Sequence, residues 1–437
     1  MVEPTLGAAL DRIETIESTP PLWYLLAWTL EKTGAPVEAA RGIGVVSGAL
    51  LAGLLVVYAR RFLPLAAAGL AGLLAALATQ LVARGSELRA YALYALLGLV
   101  FAWLLERAAR APTGGRLAAL AVATAAGLLT HYFFALVAIV GLVWLWTTPE
   151  ARSARRRASA AVGLGVLPLL LWAPSAWTQA SNQRFSWISD FSVVKAASVY
   201  SAYVWNPGPL FVRDLVQIGF WEGLARVFAL VLVAAGCVVL WRLGASGRLA
   251  ALLAVGPVLL GAALWLAAVD LFTTRNVLAA APFAVVAVAA LLAALPRVAA
   301  LMGAAAALAV VALGLAREAS PPPYDEVAAA LVELGWQPGD QVAILGGAHE
   351  LDYYGSAYAV RGPVSWYLPG HPTLVPWSGE PCAQAFAVVP SGAGDSLVEG
   401  AEATRTPDGL VVARIPCSDD LAERAGALGG FLFVPSR

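Results

Sequence analysis

The sequence predicts an all-α polytopic membrane protein of about ten transmembrane helices, with a small α/β domain at its C-terminus. Three observations predict it. Hydrophobic residues make up 60% of the chain and charged residues 13%, against roughly half and a quarter in soluble domains. Successive apolar runs approach the ~20 residues that a helix needs to cross a bilayer. After Arg317 that pattern stops, and short runs bounded by Gly, Pro and Asp replace it.

The apolar runs lie near 38–58, 63–83, 90–105, 116–131, 132–147, 158–177, 222–242, 248–269, 276–295 and 297–316, the pair around His131 being short. The connections between them alternate in character. Arg60-Arg61, Arg107 to Arg116, Arg152 to Arg157, Arg242 to Arg248 and Arg297 mark one set, which the positive-inside rule places in the cytoplasm. The other set, arginine-poor or mixed, faces outward: the segment before 38, then 84–89, Thr130-His131, 178–221 and 270–275. Both termini then lie outside, and the C-terminal domain is extracytoplasmic.

This scheme raises a question at the start of the chain. Residues 1–19, MVEPTLGAALDRIETIEST, are polar and hold no signal peptide or span to carry them across. Either the tail translocates with the first span, or the natural chain begins earlier with a further helix. The second is the expectation, since short outside tails otherwise depend on weak charge bias alone. Within the tail, Asp11, Glu14 and Glu17 read as a solvated helix face. PPLWYLLAWTLEKTG (20–34) is too short to span and reads as an interfacial helix, with Trp23, Tyr24 and Trp28 at headgroup depth. The 178–221 connection, with Trp187, Trp205 and Trp221, has the same interfacial character.

Beyond the spans, PPPYDEV opens a helix over 325–335 and PGDQVAILGG reads as a strand behind a Pro-Gly turn. AQAFAVVPSG, DGLVVARIPC and GGFLFVPSR read as further strands. The domains are therefore 1–317, transmembrane, and 318–437, α/β. Cys382 and Cys417 flank two of these strands, and antiparallel neighbours would bring them within disulfide reach on the oxidising side. Two separate buried thiols are the alternative. No C-x-x-C or Cys/His cluster occurs, so no metal site or cofactor is implied.

Zero net charge and the lack of any recognition motif speak against nucleic acid as a partner. No glycine-rich phosphate loop and no nucleophile elbow is present. What remains is a gathering of polar residues at the outward ends of the spans: Glu87, Arg89, Tyr91, Tyr94, His131, Tyr132, Asp190, Asp270, Arg275 and Asn276. Polar groups at membrane depth are costly and are functional candidates by default. Each also has an ordinary reading. Glu87 and Arg89 could be an end-of-helix charge pair snorkelling to water, His131 an interfacial histidine, Arg275 a helix anchor. The inner side shows only solvated arginines.

The succession PPLWYLLAWTLEKTG, SELRAYALYALL, GLLTHYFFALVAIVGLVWL and RNVLAAAPFAVVAVAALLA resembles the bacterial family 39 glycosyltransferases over roughly residues 18–295. These are integral membrane enzymes of the GT-C fold, related to protein O-mannosyltransferases and the lipid A aminoarabinose transferase. The family patterns are HPPLYYLL, a Gln-Glu-Ala-Arg-x-Tyr-Ala-Leu stretch, Thr-His-Tyr-Phe, and Arg-Tyr-Leu before a final helix pair. The resemblance implies inverting transfer of a sugar from a polyprenyl-phosphate donor to a lipid, glycan or protein acceptor, on the outer face of a bacterial plasma membrane. On this reading Arg89 and Arg275 are the candidate clamps for the donor phosphate. Glu87 would support an arginine or bind sugar hydroxyls, and Tyr91, His131 and Tyr132 would line the site. Two departures stand out. Thr19 occupies the place of the usual histidine before the prolines. The family's catalytic acid, often an Asp-Glu pair after a first transmembrane helix, belongs roughly two dozen residues before those prolines, ahead of residue 1. A transporter of lipid-linked glycans and a catalytically inactive truncated homologue are the alternatives.

Overall fold

A computed structural model describes residues 4–35, 37–181, 193–204, 219–266, 272–318, 324–338, 340–345, 364, 368–369, 374–376, 384–390, 398–406, 410–418, 420–427 and 430–435. They form two units, divided between Glu318 and Ala319.

The first unit is helical. Two short helices, α1 (Leu6–Ile16) and α2 (Leu22–Lys32), come first, and every apolar run then folds as helix. These are α3 (Arg41–Ala59), the pair α4 (Leu65–Leu77) and α5 (Thr79–Ser86), α6 (Tyr91–Arg110), α7 (Gly114–Thr130) and α8 (Phe134–Thr147). After a 3-10 turn (Pro149–Ala151) follow the pair α9 (Arg155–Leu171) and α10 (Ala173–Ser181), then α11 (Val193–Val204). The unit closes with α12 (Gly219–Arg242), α13 (Gly244–Leu266), α14 (Ala281–Ala293) and α15 (Arg297–Glu318). Among the described residues, four helices are long and apolar enough to cross a membrane alone, and six spans result if each bent pair is one. Four further apolar helices are shorter.

The two bends were not visible as breaks in hydropathy. α9 and α10 meet at 59°, at Trp172, where Pro174 in the first turn of α10 has no backbone N–H to continue the hydrogen bonding of α9. α4 and α5 meet at 48°, at Ala78 in extended backbone (ψ 114°). No proline sits there; the apolar run gives way to Thr79-Gln80, and α5 leans on α3 through glycine. A Cβ on Gly44 would stand 2.2 Å from the Gly85 carbonyl oxygen. Small residues allow such approach, which drives helix association where lipid supplies no hydrophobic contrast. The same device joins α12 to α14, where a Cβ on Gly236 would lie 2.1 Å from the Ala287 oxygen.

Three local features add to the sequence reading. Trp23 and Tyr24 are buried against Ile13 and Ala90, because α1 covers them. Within 178–221, α11 packs into the bundle: Tyr200 donates to the Ala254 carbonyl (3.2 Å) and Tyr203 to that of Thr274 (2.8 Å). Trp187 and Trp205 lie outside the described residues. The arginine-rich ends are not only solvated either. Glu106 is 1% exposed, ion-paired with Arg61 and 3.6 Å from Arg110, since a buried carboxylate persists only when paired.

The second unit is a six-stranded sheet. Its strands are β1 (Gln341–Leu345), β2 (Leu374–Pro376), β3 (Ala385–Pro390), β4 (Glu402–Arg405), β5 (Leu410–Ile415) and β6 (Gly430–Pro435), in the order β2-β6-β1-β3-β5-β4. β1 and β3 are parallel and the other neighbours antiparallel. Alternation sorts side chains by size. Val342, Ile344, Phe386, Val388 and Val412 pack with α16 (Tyr324–Glu333), while Ala343, Ala385, Ala387 and Ala413 pack with α17 (Leu421–Ala427). Ala385 opposes Ile415 in the β3–β5 ladder. Cys417, just past β5, is disulfide-bonded, Cys237 is free, and Cys382 lies outside the described residues.

Gly44→Ala should lower the thermal stability of the purified protein by about 1–3 kcal/mol, the usual cost of overpacking. Gly48→Ala on the same helix has open space around it and should be neutral. Equal melting temperatures for the two variants would refute the close α3–α5 contact.

Candidate functional site

The sequence places its polar residues at helix ends, and folding brings them into three adjoining groups. The first forms around Tyr91, at the start of α6. Arg84, on the last turn of α5, lies with its guanidinium carbon 5.7 Å from the Tyr91 ring centroid, and Arg275 lies 5.9 Å from the same centroid. His131, in the turn after α7, has its ring 5.7 Å from Tyr91 and stacks on Tyr94 at 4.6 Å. Tyr94 in turn donates to the Asn276 carbonyl at 3.0 Å. Four chain segments thus converge through aromatic and cationic contacts.

His131 is 3% exposed. Burial, helped by the nearby Arg275 charge, lowers its pKa to about 3. The ring is therefore neutral near pH 7. Its Nδ1 accepts from the Phe133 backbone N–H at 3.3 Å, which leaves the proton on Nε2. Nε2 is buried and has no hydrogen-bond partner among the described residues.

The second group centres on Arg89, whose side chain is half exposed. Its Nη1 donates to Glu17 Oε2 at 2.7 Å and to the Tyr24 hydroxyl at 3.0 Å. Tyr24 donates to the same Glu17 oxygen at 2.7 Å, and Thr19 donates to Tyr24 at 3.0 Å. Burial pushes the Tyr24 phenol above its usual range, with Arg89 opposing. The Tyr24 and Glu17 oxygens hold Arg89 more firmly protonated than usual.

The third group hangs on Gln179 of α10, which is 1% exposed. Its Oε1 accepts from Tyr132 at 2.6 Å, and its Nε2 donates to the carbonyls of Ile13 (2.9 Å) and Thr19 (3.3 Å). Trp172 donates to the Tyr132 oxygen at 3.1 Å, and burial raises the Tyr132 pKa to about 12. Ser175 donates to Glu14 at 2.7 Å. The bend between α9 and α10 is what carries Gln179 and Ser175 onto α1.

Two readings change. Glu87 and Arg89 do not pair with each other: Glu87 Oε1 takes Arg84 Nη1 at 2.6 Å, and Arg89 takes Glu17. The extended backbone at Glu87 (φ −74°, ψ 149°) turns the two side chains apart. Glu14 and Glu17 are not a solvated face but the acceptors that hold α1 in place. Sequence reasoning also missed Arg84, Glu17 and Gln179. The signal it could have used for Arg84 was an arginine directly after the apolar run, one turn ahead of Glu87. Asp190 and Asp270 lie outside the described residues. Among the described residues no three His, Cys, Asp or Glu side chains gather as a metal ligand set.

Acid should loosen this end of the bundle. An unfolded imidazole binds a proton near pH 6.5, and folded His131 only near 3, so between these values the unfolded state holds more protons. Stability contributed here is complete above pH 6.5 and is lost on acidification, by at most about 1.4 kcal/mol per pH unit. His131→Gln should flatten that slope between pH 6.5 and 4.5 in detergent melting curves. An unchanged slope would refute the neutral buried ring.

No protein-family model matches the sequence, and no curated protein matches it. Solved structures do resemble the fold. ArnT from Cupriavidus metallidurans in the apo state aligns over 91% of this chain and 87% of its own, at 14% identity and a TM-score of 0.52. ArnT from the same organism bound to undecaprenyl phosphate aligns over 92% and 88%, at 15% identity and a TM-score of 0.43. The first likeness establishes the architecture: an all-α polytopic membrane unit of the GT-C type followed by a small α/β domain.

Proposed function

We propose that the chain is a membrane glycosyltransferase that moves one sugar from a polyprenyl-phosphate donor to an acceptor at the outward end of the transmembrane unit. The observation that carries this reading is the convergence around Tyr91 of Arg84, Arg275 and a His131 Nε2 that has no hydrogen-bond partner among the described residues, with half-exposed Arg89 placed by its own carboxylate. The GT-C-type fold supplies the context.

In the transfer, an acceptor oxygen bonds to the anomeric carbon as the bond from that carbon to the donor phosphate oxygen breaks. The acceptor proton leaves to a base, and negative charge returns to the phosphate. Guanidinium groups stabilise that charge where it develops. Arg89 meets the requirement, because Glu17 and Tyr24 fix one nitrogen and the rest of the fork can face a ligand. Arg275 is the second clamp. Glu87 serves by holding Arg84, Tyr91 and Tyr132 shape the wall, and His131 offers a neutral N–H to a sugar hydroxyl or phosphate oxygen.

A second reading, a transporter of lipid-linked glycan, is favoured by the two bent spans, since broken helices mark many transporter sites. A transfer assay separates the two. Arg89→Ala and Arg275→Ala should each lower sugar transfer from a polyprenyl-phosphate donor by about 10²–10³-fold, with protein level and melting temperature retained. Normal turnover in both variants would sink the clamp assignment, and donor translocation without transfer would favour the transporter.

The C-terminal domain is assigned to the extracytoplasmic side, with Cys382 and Cys417 joined. In a Cys237→Ser background, an impermeant thiol reagent applied to intact cells should label Glu402→Cys and spare Arg156→Cys. Non-reducing peptide mapping should return Cys417 linked to Cys382. Reversed labelling would overturn the orientation, and an alkylated Cys382 the bridge.

A further inference from the structure

The arginine-rich end of the transmembrane unit holds a partly open hollow at the ends of α6, α8 and α13. It is lined in part by Glu106, Arg110, Trp144, Thr148, Glu150 and Ser246. Tyr91 and Arg110 stand at opposite ends of α6, about 28 Å apart along its axis, so this hollow is separate from the polar groups described above.

Its charges differ in availability. Glu106 is 1% exposed and engaged by Arg61 and Arg110, so it forms wall. Arg110 gives Nη2 to Ser246 Oγ at 3.0 Å yet keeps 62% of its side chain exposed. Glu150 places Oε1 2.8 Å from Arg248 Nη2 and is 59% exposed. One accessible guanidinium and one accessible carboxylate therefore border the same hollow, with the buried indole of Trp144 beside them.

We propose that this cavity is a headgroup site for a phospholipid bearing a primary ammonium. Its phosphate pairs with Arg110, and its ammonium with Glu150. Basic pockets at the inner ends of transmembrane helices attract lipid phosphates in general. The two carboxylates change the selectivity here. A headgroup with phosphate alone competes with Glu106 for Arg110 and brings its negative charge beside Glu150, whereas one that also carries an ammonium can share Glu150 with Arg248, and a primary ammonium donates N–H bonds that a quaternary one cannot. This assignment does not depend on the transferase reading.

Native mass spectrometry of the purified full chain tests it, with phosphatidylethanolamine, phosphatidylcholine and phosphatidylglycerol titrated separately and phosphoethanolamine as a soluble competitor. Phosphatidylethanolamine should be retained at least about fivefold more tightly than the other two, a gap of roughly 1 kcal/mol. Glu150→Gln should abolish that preference, and Arg110→Gln should reduce retention of all three lipids. Glu150 is exposed enough for its variant to fold, and an unchanged melting temperature checks this; Arg248→Gln, which frees Glu150, should keep the preference. Equal retention of the three lipids by the unsubstituted chain, or a preference that survives Glu150→Gln, overturns the site. Phosphoethanolamine binding as tightly as the lipid overturns the assignment to a bilayer component.

Discussion

The end of the helical unit around Tyr91 depends on one constraint: polar groups near the bilayer must find their partners inside the chain. Lipid offers no hydrogen bonds, so each buried donor or acceptor left alone costs several kcal/mol. Gln179 shows how the constraint is met. Its amide satisfies Tyr132 on one side and the carbonyls of Ile13 and Thr19 on the other. One buried side chain thereby ties α10, the turn after α7 and the end of α1 together. Glu17 plays a matching part, accepting from Arg89 and Tyr24 at once.

These ties set what the end of the bundle can do. Arg89 is held at one nitrogen by Glu17 and Tyr24 while half of its side chain stays exposed, so its orientation is established within the chain. Around Tyr91 the guanidinium groups of Arg84 and Arg275 lie near an aromatic face, and Arg84 also pairs with Glu87. His131 stays uncharged because it is buried next to Arg275, and this avoids adding a third cation to the group. The opposite end solves the same problem differently. There Glu106 is enclosed by Arg61 and Arg110, Arg248 pairs with Glu150, and Arg155 donates to the carbonyls of Leu145 and Thr148.

Sequence alone determined the solvent of each segment. Hydropathy located all ten apolar helices to within a few residues, because lipid burial demands long apolar runs whatever the tertiary arrangement. Strand periodicity likewise located β1, β3, β5 and β6, whose alternation is set by the pleat. The shorter β2 and β4 carry too few residues to show a period. The residues gathered at the outward end were legible for the same reason: a charge beside an apolar run stands out.

What the tertiary structure decided was pairing and direction. Glu87 and Arg89 are two residues apart, and proximity in sequence suggested a partnership; the extended backbone at Glu87 sends them to Arg84 and Glu17 instead. Glu17 is 72 residues from Arg89, and Gln179 is 166 from Ile13, separations that no local pattern encodes. The bends at Ala78 and near Pro174 arise from packing of glycine against glycine and from a single missing backbone donor, neither of which alters hydropathy. Composition fixes which groups must avoid lipid, but only the packed chain chooses the partner that makes it possible.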